Sequence, residues 1–233
     1  MSAHAPDAGR PDVCPDSPFL PLDTRLPLAC RGCGGCCRHR QDLLLSGYDL
    51  FRISRRLALP PAVAAASFCR RYVGEESRLP LLRMRIQREN EGACVFLTAE
   101  NRCSIHTARP LACALFPLGQ SLLEEKDGSL SARYFSQQAP CQEPGGPTVV
   151  LGDFLMASGV LEREPIDIRW AQVCLALSHA LRQGSPHHPP LWEKLWQRRI
   201  FHTLYENYDT EQAYLPQLER HAAPLLSAIS AER

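Results

Sequence analysis

Cys30, Cys33, Cys36 and Cys37 stand in the run Cys-Arg-Gly-Cys-Gly-Gly-Cys-Cys. Thiolates in such a tight series are soft ligands that can converge on one inorganic centre. Three glycines between them let the backbone take positive φ and curl around a small object. Four further cysteines, Cys94, Cys103, Cys113 and Cys141, each sit beside a turn, a strand end or a helix start. Together these eight are the candidate metal ligands.

The C-x2-C-x2-C spacing of Cys30, Cys33 and Cys36 is shared with ferredoxin loops that hold [4Fe–4S] clusters. There the next cysteine comes four positions on; here that place is Arg40, so a fourth ligand must come from the downstream cysteines. Cys36 and Cys37 add a complication. Neighbouring side chains point to opposite faces of a strand, or about 100° apart on a helix, so the pair is not expected to face one ion. Four thiolates also suit zinc or mononuclear iron. An iron–sulfur cluster is the favoured expectation, with zinc or mononuclear iron as the alternative. His106 and Arg109, in Cys-Ser-Ile-His-Thr-Ala-Arg-Pro-Leu-Ala-Cys, are candidates to support the centre from behind its ligands. A guanidinium there offsets the negative charge that thiolates bring.

The rest of the chain limits where such chemistry would operate. Eleven cysteines is an odd number, which leaves one thiol over in any disulfide scaffold. The first residues show no apolar run behind a basic flank, and no stretch approaches the length of a membrane span. The expectation is therefore a reducing, cytoplasmic setting, where clustered thiols act as metal ligands or redox centres. A net charge of +1 points to neither nucleic acid nor an anionic membrane.

The elements that must position these residues read as mainly α with a small β-hairpin (α+β). A loop-rich, metal-centred core precedes a helical C-terminal region. Residues 1–28 are proline-rich and read as a flexible arm, with Cys14 a bystander. Residues 29–147 read as the cysteine-cluster domain and 148–233 as helices packing on it. Ser46 caps a helix carrying Leu50, Ile53 and Leu57. Pro60 and Pro61 end it and open a second helix from Ala62 to about Val73, with Cys69 as a buried core thiol. Met84 to Gln87 suggests a short strand. Cys94–Leu97 and Arg102–Ile105 suggest a hairpin across residues 98–101. Pro110 opens a short helix that Pro117 stops, and Leu130 to Phe135 suggests another strand.

Thr148 caps a helix that Gly159 ends. Apolar stripes follow at Trp170, Val173, Cys174, Leu177 and Leu181, and at Trp192, Leu195, Trp196, Ile200 and Leu204. Gly184 to Pro190 reads as a linker. A last helix starts near Asp209 and is expected to bend or break at Pro224.

Taken together, these residues resemble the zinc- or iron-chelating cysteine-cluster family known as CxxCxxCC proteins, which includes flagellin lysine N-methylase. The matching pieces are Cys30 to Cys37, Asp49-Leu-Phe-Arg-Ile53, Cys94-Val-Phe-Leu97, Cys103-Ser-Ile-His106, Arg109-Pro110, Cys113 and Phe116-Pro117. Cys141 with Gly145 and Gly146 fits more loosely. Ala114 stands where the family commonly has arginine, and His106 where it often has an aromatic. The resemblance covers roughly residues 29–146 and implies metal binding; the first expectation is a metal-centre protein with a redox or regulatory role, its C-terminal helices offering a surface to a protein partner. The resemblance to the methylase implies, as an alternative, methyl transfer from S-adenosylmethionine to a protein lysine; a zinc-stabilised interaction module is a third expectation. No G-x-G-x-x-G turn follows a strand pattern, and no catalytic residue can be named.

Overall fold

Ser46 begins the first helix as its composition demands. Its side-chain oxygen accepts the N–H of Asp49 at 3.0 Å, and Asp49 in return accepts the N–H of Ser46 at 3.0 Å. This reciprocal box satisfies two N–H groups that a helix start leaves open. It opens α1 (Gly47–Leu57), whose Leu50 and Ile53 are fully buried. The computed structural model describes residues 19–28, 34–38, 43–87, 92–137, 147–184, 186 and 188–232. Cys14, Cys30, Cys33, Arg40, Cys141, Gly145 and Gly146 lie outside them.

Helix accounts for 52% of the structure and strand for 19%, so the fold is α+β with helix dominant. After α1 come α2 (Pro61–Phe68), β3 (Cys69–Val73) and β4 (Pro80–Met84), with β1 (Arg25–Leu26) and β2 (Leu44–Leu45) before them. β4 is the middle strand of an antiparallel sheet ordered β2-β4-β3. Its residues alternate in burial, which turns Leu82 and Met84 inward. Next are β5 (Ile86–Gln87), β6 (Ala93–Cys94) and α3 (Leu111–Leu115). β7 (Leu118–Glu124) and β8 (Leu130–Ser136) then form the longest hairpin, with Gly128 at φ 80° in its turn. The C-terminal part holds β9 (Val149–Val150), α4 (Leu151–Ala157), α5 (Val160–Gly184), α6 (Pro190–Phe201) and α7 (Tyr214–Ala231).

Several expectations are corrected. The second helix stops at Phe68, and Cys69 to Val73 pair with β4 instead. The alanine run favours helix up to that point, but Tyr72 and Val73 suit a strand and β4 offers an open edge. Cys69 is a buried core thiol as expected, and burial pushes it up to about 12. The hairpin expected around residues 98–101 is a turn with a single bridge, Leu97 to Cys103. Residues 25–26 are no free arm, because they pair with β9. Thr148 does not cap α4. The N–H groups of Leu151 and Gly152 reach the carbonyls of Thr24 and Leu22, so backbone does what a side chain was expected to do. The last helix starts at Tyr214, since Asp209 closes a turn by accepting from the Glu211 N–H and the Gln212 side chain. It then continues through Pro224.

One large core joins the two halves of the chain. Leu45, Leu50, Ile53, Leu82, Phe96 and Ile105 belong to the same buried cluster as Trp170, Val173, Leu177, Leu181, Ile200 and Leu218. A smaller cluster, including Leu115, Leu118, Tyr134, Leu151 and Leu155, lies under the β7–β8 hairpin. Both expected helical stripes face the core, with Cys174 and Trp192 half-buried and Leu195 58% exposed. No helix among the described residues is long and apolar enough to cross a membrane.

Leu177 is fully buried, so Leu177→Ala is expected to cost about 2–5 kcal/mol in urea unfolding. Leu195→Ala, at an exposed position on α6, is expected to stay within about 0.5 kcal/mol.

Candidate metal centre

Gly34 sits at φ 71°, a left-handed conformation that glycine adopts without strain. The chain then makes a single 3-10 turn, Gly35–Cys37, closed by the Cys37 N–H on the Gly34 carbonyl at 3.0 Å. This tight turn overturns the expectation that neighbouring cysteines look apart. The Cys36 and Cys37 sulfurs are 3.9 Å from one another. A tetrahedral thiolate site with Zn–S near 2.3 Å has sulfurs about 3.8 Å apart.

Cys94 and Cys103 occupy two matching turns. The carbonyl of each accepts the N–H three residues on, from Leu97 at 3.0 Å and His106 at 3.2 Å. The N–H two residues on, from Phe96 and Ile105, approaches each sulfur and favours its thiolate. The turns are held face to face by the Leu97–Cys103 bridge and by the Ser104 N–H on the Phe96 carbonyl. Cys113 lies in the first turn of α3, its N–H on the Pro110 carbonyl.

Two sets of polar contacts bring these turns together. The Arg38 guanidinium donates to Asn101 Oδ1 at 2.7 Å. A Cβ on Gly34 would press on the same Asn101 side chain, so the cysteine pair docks directly on the 98–101 turn. On the other side, α1 reaches the segment between Cys103 and Cys113. Asp49 Oδ1 accepts the Leu111 N–H at 3.0 Å, and Arg52 donates to the Thr107 carbonyl at 2.7 Å.

The result is a cavity of about 590 Å³ lined by Cys36, Cys37, Cys94, Cys103 and Cys113, with His106 and Arg109 also on its wall. Arg109 is 3.2 Å from the His106 ring nitrogen. Burial and this guanidinium hold His106 below its usual range, which keeps it neutral. The same guanidinium draws Cys103 down, although burial leaves that thiol raised overall. Cys94 is raised by burial. Cys37 is raised furthest, first by its hydrogen bond with Cys36, then by burial and the nearby Cys113 and Cys94.

Burial is the main cause at Cys94 and Cys103 and the Cys36 contact at Cys37; a bound cation would offset both by favouring the thiolate. The donor set fits a soft transition metal. Among the described residues, no three His, Cys, Asp or Glu side chains already converge on one point. Cys69 and Cys174 do not line the cavity.

Residues 29–134 match a family model described as a "putative zinc- or iron-chelating domain", CxxCxxCC. Over this segment, somewhat under half of the chain, the protein is similar to CxxCxxCC domains. Their class is that of zinc- or iron-chelating domains, and the match ends before Cys141 and before the C-terminal helices. No curated protein and no solved structure matches the chain.

Sequence reading missed what surrounds the CxxCxxCC cysteines. Asp49 and Arg52 were visible only as part of a motif, and Arg163 not at all. The one available signal was their separation by three residues on α1, which puts both on one helix face.

Raised thiols must lose protons when an ion binds. Zinc affinity is therefore expected to climb as pH rises from about 6 to 8, with about two or more protons released per ion. Chelator competition at several pH values measures the slope, and a flat profile would sink thiolate ligation.

Proposed function

We propose that this protein binds a thiolate-ligated metal centre, zinc or mononuclear iron, with Cys36 and Cys37 on the same ion. The observation that carries this reading is the 3.9 Å sulfur pair on a cavity that three other chain segments also line with cysteine. Cys94, Cys103 and Cys113 are the nearest further ligands, and Cys30, Cys33 and Cys141 complete the candidate set. Arg109 offsets thiolate charge, and His106, neutral, accepts from Arg109 and holds it in place. When bound, the ion ties loops from distant parts of the chain into one unit. Ion entry or loss then changes the order of that unit, which supports a regulatory role in the cytoplasm. Exposed Leu175, Leu191 and Leu195 on α5 and α6 support a protein partner on the C-terminal helices.

A second reading is a [4Fe–4S] cluster with redox function. The Cys30, Cys33 and Cys36 spacing supports it, and the cavity is roomier than a lone ion needs. Against it stands the same close pair, because a cube gives each cysteine a separate iron at a separate corner. Lysine N-methyl transfer rests on family resemblance alone.

Metal and acid-labile sulfide analysis of protein purified without oxygen separates these readings. Zinc or iron without sulfide is the expected result. Iron and sulfide in similar amounts, with absorbance near about 400 nm from thiolate–iron charge transfer, would favour the cluster. A metal-free folded protein would end both. Within the bound form, Cys37→Ser and Cys103→Ser are expected to lower metal content, and Cys174→Ser to leave it unchanged. Equal behaviour of all three would discredit the ligand set.

A further inference from the structure

The segment between Cys103 and Cys113 satisfies only part of its own backbone, through bonds such as the Ala108 N–H on the Ile105 carbonyl. It runs as a 3-10 turn, His106–Ala108, and then two extended residues, Arg109 and Pro110, before α3 begins. The carbonyls of Thr107 and Arg109 and the N–H of Leu111 need partners from elsewhere. All three are taken by one face of α1. Arg52 donates to Thr107 at 2.7 Å and to Arg109 at 3.4 Å, and Asp49 accepts from Leu111 at 3.0 Å. The two side chains grip the segment at both ends, next to Arg109 and two residues before Cys113.

Asp49 can do this only because of a third residue. Its side chain is 4% exposed, and a carboxylate so deeply buried needs a cation. Arg163 of α5, 3% exposed, supplies it with an Nη2–Oδ1 contact of 2.7 Å. Arg163 is itself fixed by two bonds to Asp167, at 2.6 and 2.8 Å, and lies over the Tyr48 ring. Arg163 is outside the 29–134 match.

Resting on the metal-centre reading above, the geometry points to Asp49, Arg52 and Arg163 as positioning residues that hold Cys113 and Arg109 in register with the other thiols. Metal–ligand distances fall within about 0.2 Å of their standard values, so a segment free to drift weakens the site without removing a ligand. The C-terminal helices are thereby part of the metal centre's frame.

Cobalt(II) and zinc titrations of the full chain test this, with cobalt ligand-field bands reporting geometry and chelator competition reporting affinity. Asp49→Asn, Arg52→Gln and Arg163→Lys are expected to stay folded by circular dichroism and to bind at least ~10-fold more weakly, in line with other supporting residues around metal ligands. Their cobalt bands should also shift. Leu225→Ala, a buried α7 change, is the control: it should lower thermal stability and leave affinity and bands alone.

Wild-type affinity and bands in the three variants would overturn the inference, and so would an equal loss of affinity in Leu225→Ala. If Asp49→Asn and Arg163→Lys do not fold, Arg52→Gln decides, since it removes only a partly exposed donor. A wild-type chain that takes up neither metal overturns the metal reading itself, and is recognised before any variant is compared.

Discussion

A carboxylate shut away from water between two helices sets the arrangement of everything near it. Asp49 closes the capping box of α1, receives the first N–H of α3 and meets Arg163 of α5. Each bond alone is ordinary. Their meeting at one side chain fixes three elements relative to one another. Removing one partner of such a buried pair strands the other charge, typically at about 3–5 kcal/mol. Replacing all the partners by well-packed apolar groups could cost far less. What Asp49 provides that leucine could not is an acceptor aimed at one particular backbone N–H, and so a defined start for the helix that bears Cys113.

Around the cavity the opposite tension operates. Thiols from separate turns line one cavity, and burial, with smaller contributions from the neighbouring thiols, opposes their ionisation. Yet the N–H groups of Phe96 and Ile105 and the Arg109 guanidinium act to favour thiolates at Cys94 and Cys103. Burial still prevails, so both thiols stay raised overall. The apolar wall provided by Met84, Phe96 and Phe116 lowers the local dielectric and strengthens that effect.

Sequence was a good guide wherever local chemistry decided the outcome. Ser46 and the Leu50–Ile53 spacing located α1, and the Trp170–Leu181 stripe located the buried face of α5, because capping and helical period act within a few residues. It failed where a distant partner decided. Nothing near Thr148 shows that Thr24 and Leu22 will serve the α4 N-terminus. Nothing near Tyr72 announces that β4 has a free edge, and β7 became recognisable only once its partner β8 was in place. The cysteines were legible as a cluster from spacing alone. The facing of Cys36 and Cys37 was not, since it follows from a 3-10 turn that the glycines permit and Asn101 stabilises from 63 residues away through Arg38.

Gly47 shows how far the C-terminal helices shape the CxxCxxCC segment. Its φ is ordinary, so no turn requires glycine there. A Cβ at this position would collide with the Leu204 carbonyl, the Trp170 ring and the Tyr214 hydroxyl, all from beyond residue 134. The start of α1 is therefore pressed so closely against α5, α7 and the π-helical turn at His202–Glu206 that only hydrogen fits. The same helix start carries Asp49 two residues later. Close packing and the buried ion pair act at one place: the first leaves α1 little freedom to move away from the C-terminal helices, and the second converts that fixed position into a fixed position for Leu111 and Cys113. Either alone would leave the cysteine segment loosely referenced to the core; together they make the helices beyond the matched segment the rigid side against which the thiols are aligned.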